Sequence, residues 1–288
     1  MPSVFEKLHR RIRESGVADQ QRNRRWWEAL PMTYESWEDG DRGAAADADL
    51  LKTRASFLEA NPWLTQDFDF GRYRGRHVLE IGCGAGGAAC HMAALGAQVT
   101  AIDLTAQATR LTQRHARLAQ LPVRVAQMDA EKLALPDASF DDVFSWGVLH
   151  HSQNTEQALC EAARVLHPAG SLLIMVYNRA SLRYWVKGLI WLLLRGRLFA
   201  GDTMRSVQRH FTDGFYHRHF TPRELAAVCR TIGLQPRRMA VTHMAKKMLP
   251  LVPRRLDEAL KRRYGWLLVI EAEKAASPAR AGGPSASV

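Results

Sequence analysis

Cysteine is scarce in this chain of 288 residues, and acidic residues are fewer than basic ones. The four cysteines show no C-x-x-C spacing, which excludes a disulfide-stapled secreted scaffold and a zinc ribbon. No His/Cys cluster predicts a metal site, and the N-terminus lacks the apolar core of a signal peptide. We therefore expect a reduced, cytoplasmic protein.

Internal repeats and apolar runs of membrane-spanning length are also missing. With 47% apolar residues the chain can bury one full core, so we expect one domain with appendages. The expected parts are an N-terminal cap over 1–63, a main domain over 64–275 and a disordered tail over 276–288. The tail is rich in small residues, Pro and Gly, and it has no apolar period.

What the chain does have is a glycine-rich turn after an apolar strand, VLEIGCGAGG over 78–87. Glycines let the backbone take positive φ and approach a ligand closely, and the following helix presents unpaired N–H groups. The turn fits the dinucleotide spacing GxGxxG over 82–87 and also the spacing E-x-G-x-G-x-G over 80–86. The carboxylate of Glu80 disfavours binding of a negatively charged pyrophosphate. S-adenosylmethionine carries an ammonium and a sulfonium, so it tolerates a carboxylate nearby.

Later strand ends also carry polar side chains. The strand at 98–104 ends at Asp103, which suits a ribose diol in either kind of cofactor or, alternatively, caps a helix. The strand at 123–128 ends at Asp129, whose carboxylate beside Ala130 can accept from the amine of an adenine. A fourth strand at 140–145 runs into Trp146 to His151, ahead of a helical pattern over 155–166. Because ligands bind at the carboxyl ends of parallel strands, these ends outline one crevice.

Four ordered motifs then resemble those of the class I S-adenosylmethionine-dependent methyltransferases: VLEIGCGAGG (78–87), VTAIDLT (99–105), MDAEKLALPDASFDDVFSWGVLHH (128–151) and ARVLHPAGSLLIMVY (163–177). The resemblance covers roughly residues 75–180. It implies an α/β fold, namely a Rossmann-like, seven-stranded, mostly parallel sheet with helices on both faces. An N-terminal aromatic cap and an insertion after the fifth strand complete the expected fold class.

The resemblance also implies a set of cofactor contacts. By the resemblance, the methionine part of the cofactor is lined by Glu80, Gly82, Gly84 and Gly86. The ribose contacts Asp103 and its neighbour Leu104, and the adenine contacts Asp129 and Ala130. Trp146 lies at the start of the acceptor site. Two positions depart from the family pattern. Ala85 stands where Thr or Ser is frequent, and Ala169 stands where a second Gly usually follows the proline; both positions serve turns, so cofactor binding is not threatened.

Aromatic residues crowd the N-terminal cap, which holds four of the eight tryptophans. By the resemblance, Tyr34 and the pair Trp26 and Trp27 shield the sulfonium as a lid; alternatively these rings anchor an N-terminal helix to the core.

The insertion over 179–220 is expected to shape the acceptor pocket. Its apolar run at 182–194 predicts a lid helix or, in the alternative, an interfacial helix, with an anionic membrane met through 182–199. His217 and His219 alternate, so on a strand they share one face and form a polar wall of the pocket.

Methyl transfer from a sulfonium is an in-line displacement, so positioning in a dry site supplies most of the acceleration. His150 and His151 are the candidate bases for an acceptor that bears a proton, and Tyr177 is a candidate for positioning it. The predicted function is methylation of a small hydrophobic or aromatic molecule. The net charge of +11, concentrated in 9–25 and 237–263, keeps RNA methylation open, and the GxGxxG overlap keeps open an NAD-binding protein without methyl transfer. The residues do not identify the acceptor.

Overall fold

The computed structural model describes residues 19–29, 47–245, 248 and 252–275. Within them, eight strands form one sheet. The strands are β1 (His77–Ile81), β2 (Gln98–Asp103), β3 (Val123–Gln127), β4 (Phe140–Trp146), β5 (Leu166–Asn178), β6 (His219–Phe220), β7 (Leu234–Thr242) and β8 (Leu267–Lys274). Their order is β3-β2-β1-β4-β5-β8-β7, with β6 paired to the end of β5 beside this path.

Strand directions follow the expected pattern, since neighbours are parallel except where β8 runs antiparallel to β5 and β7. The predicted seven-stranded, mostly parallel sheet is thus confirmed. The eighth strand, β6, was not predicted because two residues carry no alternating pattern.

Helices cover both faces of the sheet, as expected. They are α1 (Asp19–Ala29), α2 (Asp47–Ala60), α3 (Pro62–Gln66), α4 (Gly87–Ala94), α5 (Ala106–Leu118), α6 (Thr155–Val165), α7 (Leu182–Leu189), α8 (Pro222–Thr231) and α9 (Arg254–Tyr264). Side chains alternate between two apolar layers along the strands: on β8, Leu267 and Val269 face one layer, and Leu268 and Ile270 the other. The first layer includes residues of α2, α3 and α4, and the second those of α6 and α8.

Local sequence signals set several element boundaries. Helix α8 starts at the predicted place, where Thr221 and Glu224 form a capping box and Pro222 occupies the first turn. Helix α5 is capped by Thr105, whose hydroxyl accepts from the N–H of Ala108. Helix capping was the alternative hypothesis for Asp103, but Thr105 is the capping residue. The Asp103 side chain accepts from Gly84 and Thr105 instead.

The insertion after β5 contains α7, a π-helical turn at Ile190–Leu194, a 3-10 turn at Ser206–His210 and β6. No helix in the described part of the chain is long and apolar enough to cross a bilayer. Tyr34, Trp37 and the predicted tail at 276–288 lie outside the described residues.

Near its start, β5 contains an alanine in the left-handed region of φ, which favours glycine. Ala169 has φ +61°, and its neighbour Gly170 has no room for a side chain, since a Cβ there would lie 2.8 Å from the Asp141 carbonyl oxygen. A left-handed residue with a Cβ costs roughly 1–2 kcal/mol. The departure from the Pro-Gly-Gly pattern at Ala169 therefore leaves strain in the folded chain.

We expect Ala169→Gly to raise the free energy of unfolding by about 0.5–1 kcal/mol, because relief of that strain exceeds the added entropy of the unfolded chain. Urea denaturation measures the change. Ala227→Gly is the matched control, since Ala227 is exposed within α8 and its replacement costs about 1 kcal/mol. A loss of stability in Ala169→Gly would contradict the strain argument.

Candidate active site

A cleft lies at the carboxyl ends of the parallel strands, where ligands bind in open α/β sheets. It brings together ten of the predicted site residues: Glu80, Gly82, Gly84, Asp103, Leu104, Asp129, Ala130, Trp146, His151 and Tyr177. Gly86 and His150 lie outside its lining. Among the described residues no group of three or more His, Cys, Asp or Glu side chains is arranged to hold a metal ion.

The glycine turn brings backbone against the cleft. Gly82 has φ +84°, and a Cβ on it would lie 2.2 Å from a methyl group of Val148. Gly86, with φ +81°, occupies the N-cap position of α4. Only glycine combines these dihedrals with such close approach, so the turn is specified by sterics rather than by side-chain chemistry.

Asp103 is held at the end of β2 by three hydrogen bonds. Its Oδ2 accepts from the N–H of Gly84 at 3.1 Å, and its Oδ1 accepts from the N–H and the hydroxyl of Thr105 at 2.9 and 3.0 Å. Burial raises the pKa of the Asp103 carboxyl, while these donors oppose the shift. The carboxylate is thereby fixed at the cleft wall, where it can accept from the hydroxyls of a sugar.

Glu80 places a buried carboxyl beneath the turn, where it accepts a hydrogen bond from the N–H of Ala89. The side chain is 4% exposed, and its Oε2 has no hydrogen-bond partner among the described residues. Burial raises the pKa of this carboxyl well above its usual value, and the charge of Asp103 raises it further. Such a group is costly unless a cation meets it, so the cleft fits a ligand with an ammonium here and disfavours a pyrophosphate.

The far side of the glycine turn carries the contacts that the sequence assigned to an adenine. Asp129 and Ala130 line the cleft there, next to Leu104. The Asp129 Oδ2 accepts from the side-chain amide of Gln20 at 2.7 Å, and its Oδ1 accepts from the N–H of Glu131 at 3.0 Å. Helix α1 therefore reaches the same carboxylate that is predicted to meet the adenine.

The tryptophan pair of α1 divides between two positions. Trp27 lines the cleft, and its ring meets that of His151 edge to face with 4.8 Å between the ring centroids. Trp26 is 1% exposed and packs with Phe215 of the insertion. Trp26 is thus placed to anchor α1, and Trp27 lies at the cleft. A lid that shields the sulfonium stays a prediction.

Trp146 joins the cleft to the first apolar layer. Its indole N–H donates to Oδ1 of Asn61 at 2.9 Å, and its ring stacks on Trp63 at 6.0 Å between centroids. Both partners belong to the junction of α2 and α3. Trp146 is therefore held rigidly, with one edge in the cleft.

The two predicted bases differ in position. His150 is fully buried, both of its ring nitrogens lack a partner among the described residues, and its ring lies 3.9 Å from that of Tyr177. His151 lines the cleft, and its Nδ1 lies 2.8 Å from the Tyr216 carbonyl oxygen. Because a carbonyl only accepts, Nδ1 carries the proton and Nε2 keeps its lone pair.

Burial lowers the pKa of both histidines, that of His151 to about 3. The His151 ring is therefore neutral over the whole neutral range. Of the pair, only His151 is placed to accept a proton from a molecule in the cleft.

The other end of the cleft is built by residues that the sequence analysis did not select. Trp266, at the start of β8, lies 4.5 Å from the ring of Tyr177. The Arg183 guanidinium of α7 stacks over Trp266 at 4.8 Å, and its Nε has no partner among the described residues. Asp213 and His243 complete this end, and burial raises the pKa of the Asp213 carboxyl. The sequence held one indication of this end of the cleft, since Arg183 is a charged residue within a largely apolar run.

His217 and His219 do not reach the cleft. Their rings lie 5.9 Å apart, and His219 packs on Tyr184 and Trp266 at 4.9 Å from each. The expected polar wall of the pocket is therefore wrong for these two residues. They form a layer behind the wall that Tyr177 and Trp266 provide.

Comparison with known proteins agrees with this geometry. A family of methyltransferase domains matches residues 79–174. The chain is 32% identical over 162 residues to a ubiquinone biosynthesis O-methyltransferase of Xanthomonas axonopodis pv. citri, which covers 56% of this chain and 63% of the relative. The match thus spans less than two thirds of that relative's length.

Solved structures share the fold at low identity. An S-adenosylmethionine-dependent methyltransferase of Methanosarcina mazei has a TM-score of 0.51 at 22% identity, covering 72% of this chain and 96% of that one. The cyclase SpnF has a TM-score of 0.54 at 17% identity, covering 94% and 93%. Because a cyclase shares it, the fold alone does not specify methyl transfer.

The matched residues contain the glycine turn, Asp103, Asp129 and the strand end at Trp146, all of which line the cleft. The Glu80 carboxyl, whose Oε2 has no partner among the described residues, fits a cationic ligand such as S-adenosylmethionine better than a dinucleotide. Residues 79–174 of the chain thus match a methyltransferase domain.

Proposed function

We propose that the protein transfers a methyl group from S-adenosylmethionine to a small, largely aromatic molecule. The observation that carries this proposal is the continuity of the cleft. It runs from Asp129 and Asp103, past Glu80, to a second end at Tyr177 and Trp266 that the cofactor contacts do not use. A methyl acceptor fits at that second end.

The end of the cleft that Asp129, Asp103 and Glu80 line, called the cofactor end, is proposed to hold S-adenosylmethionine. Asp129 and Ala130 border its adenine, Asp103 accepts from its ribose hydroxyls, and Glu80 meets its ammonium. The glycine turn lies against its methionine part without side chains. When bound, the cofactor supplies an electrophilic methyl group on a sulfonium.

His151 is proposed to orient the acceptor and take its proton. The Tyr216 carbonyl fixes the tautomer, so Nε2 accepts from an O–H or N–H in the cleft. A pKa near 3 makes His151 a weak base, but an acceptor hydroxyl becomes strongly acidic as the new bond to carbon forms. The proton therefore passes to Nε2 late, and positioning dominates.

The walls of the acceptor end support an aromatic or hydrophobic acceptor with one polar group. Tyr177, Trp266 and Trp146 offer flat apolar surface, while Arg183 and Asp213 offer charge at one edge. The relative from Xanthomonas is named for ubiquinone biosynthesis, which supports a quinone-like acceptor.

Peripheral contact with an anionic membrane through residues 182–199 belongs to the same proposal. Its support is the combination of exposed apolar and basic side chains in this segment. The proposal places the protein in the cytoplasm, at or near such a surface.

The test is a screen of cell extract with S-adenosylmethionine labelled at its methyl group, followed by identification of the labelled product. We expect a labelled small aromatic molecule. Labelled RNA, together with a salt-dependent gel shift of RNA by the protein, would favour RNA methylation instead. Labelling of neither class would contradict the proposed activity.

Glu80 makes cofactor binding depend on pH. Burial raises the pKa of the Glu80 carboxyl in the free protein and so favours its neutral form, whereas an arriving ammonium favours the ionised form. Binding therefore releases a proton, and affinity for S-adenosylmethionine strengthens as pH rises until it exceeds the pKa of the free protein. Calorimetry in buffers of different ionisation enthalpy measures the released proton.

Two controls isolate the carboxyl. Glu80→Gln should bind S-adenosylmethionine more weakly and with no proton release. Adenosine, which lacks the ammonium, should bind the wild type without dependence on pH in the same range. Proton release that persists in Glu80→Gln would assign the effect to another group.

A further inference from the structure

Exposed apolar side chains are concentrated on the insertion. Of the eleven large apolar side chains that are exposed in the described chain, eight lie between 185 and 199. They are Trp185, Val186, Leu189, Ile190, Leu193, Leu194, Leu198 and Phe199, and together they are called the apolar face below. Contiguous apolar surface of this kind marks a binding surface on a folded protein.

Helical spacing places six of these residues, those up to Leu194, on one side. Pairs recur every four residues at 185–186, 189–190 and 193–194, along α7 and the π-helical turn that continues it. The opposite side is packed, since Tyr184, Gly188 and Leu192 are buried. A Cβ on Gly188 would lie 2.2 Å from the sulfur of Met204, so the helix is seated tightly on the rest of the insertion.

Exposure increases toward the end of the segment. Leu194 is 82% exposed and Phe199 is 91% exposed, compared with 49% for Trp185. The segment Leu193 to Phe199 therefore forms an outward tip. Few folded proteins leave two such side chains in water without a partner.

Charge on the apolar face is of one sign. Residues 182–201 contain four cations and no acid. Arg197 is bound to the buried Asp202 at 2.8 Å, whereas Lys187 and Arg195 are exposed, with Arg195 stacked over Trp191. This combination complements an anionic lipid surface. A second copy fits less well, because each chain carries a net charge of +11 and the two would repel.

We propose that the apolar face is a bilayer-docking surface whose tip, Leu193 to Phe199, inserts among lipid acyl chains. This rests on the membrane contact proposed above and adds its mode, in which apolar insertion rather than surface charge holds the protein. Arg183 of the same helix lines the acceptor end of the cleft. The helix that docks therefore also contributes a residue to the acceptor end.

Vesicle flotation tests the mode directly. The probes are vesicles of phosphatidylcholine, with and without phosphatidylglycerol, at low and high salt. We expect the wild type to bind vesicles that contain phosphatidylglycerol and to stay bound at high salt, since apolar burial is not screened. The double variant Leu194→Ser, Phe199→Ser should lose about 100-fold or more in partitioning, because two large apolar side chains no longer enter the bilayer.

Leu256→Ser is the matched control, since Leu256 is 52% exposed on α9, outside the apolar face, and its replacement should leave partitioning unchanged. Unaltered binding of S-adenosylmethionine by the double variant shows that its fold is intact.

Three results overturn the proposal. Absence of binding to every vesicle would remove the membrane contact as well as the insertion. Binding that high salt abolishes and the double variant retains would leave a contact by charge alone. Dimers in gel filtration that the double variant dissolves, without vesicle binding, would assign the apolar face to a second copy of the chain.

Discussion

Replacement of Asp103 by alanine is expected to weaken binding of S-adenosylmethionine by about 100-fold to 10,000-fold. Two ribose hydroxyls donating to one carboxylate contribute about 1.5–3 kcal/mol each, and each 1.4 kcal/mol is a factor of ten in affinity. The carboxylate is already oriented by Gly84 and Thr105, so no ordering cost offsets these bonds. Isothermal calorimetry measures the loss, and labelling of product should disappear at ordinary cofactor concentrations.

The controls separate the ribose contact from the local fold. Asp103→Asn keeps an acceptor for Thr105 but removes the charge, and it should lose only about tenfold. Asp141→Ala removes another acid, one that accepts from the N–H of His77 at the opposite end of the sheet, and should not change affinity. Equal affinity of wild type and Asp103→Ala would contradict the ribose assignment.

The sheet and the residues of the proposed cofactor end could be predicted from the sequence because short, local patterns identify them. Strand ends, glycine spacing and the acids at 80, 103 and 129 all lie within a few residues of the patterns that identify them. Parallel strands bring such ends to one edge by topology alone, so their convergence follows without knowledge of side-chain packing.

The acceptor end could not be read in this way because it is assembled from distant elements. Arg183 comes from α7, Asp213 from the loop before β6, and Trp266 from the last strand, so no local pattern links them. The predicted wall at His217 and His219 failed for a related reason. Alternation on a strand would place both residues on one face, but β6 contains only His219. The ring of His219 packs on Tyr177 and Trp266 instead of lining the cleft.

The sequence also could not predict that the apolar face is exposed on the surface of the protein. An apolar stripe at helical spacing predicts that one side of a helix is covered, and it does not distinguish a core, a substrate or a bilayer as the cover. The burial of Tyr184 and Leu192 on the other side is what reveals that the stripe points away from the protein.

His151→Ala is expected to lower kcat by on the order of 100-fold if the acceptor bears a proton, with the affinity for S-adenosylmethionine nearly unchanged. The His151 ring contacts the Tyr216 carbonyl and the Trp27 edge, so its loss also removes packing, and thermal unfolding must be followed in parallel. His151→Asn provides the sharper comparison. Its amide N–H can take the place of Nδ1 toward Tyr216, while nothing replaces Nε2 in the cleft.

Two readouts distinguish a base from a structural residue, and the pH profile checks the pKa. His151→Asn should lose as much kcat as His151→Ala while it keeps more stability, and added imidazole should restore part of the activity of His151→Ala. Because burial holds the pKa of His151 near 3, the wild-type rate should show no inflection from this group between pH 5 and 8. A His151→Asn enzyme with wild-type kcat would leave His151 a packing residue, and the displacement would then proceed by positioning alone, as for an acceptor that carries no proton.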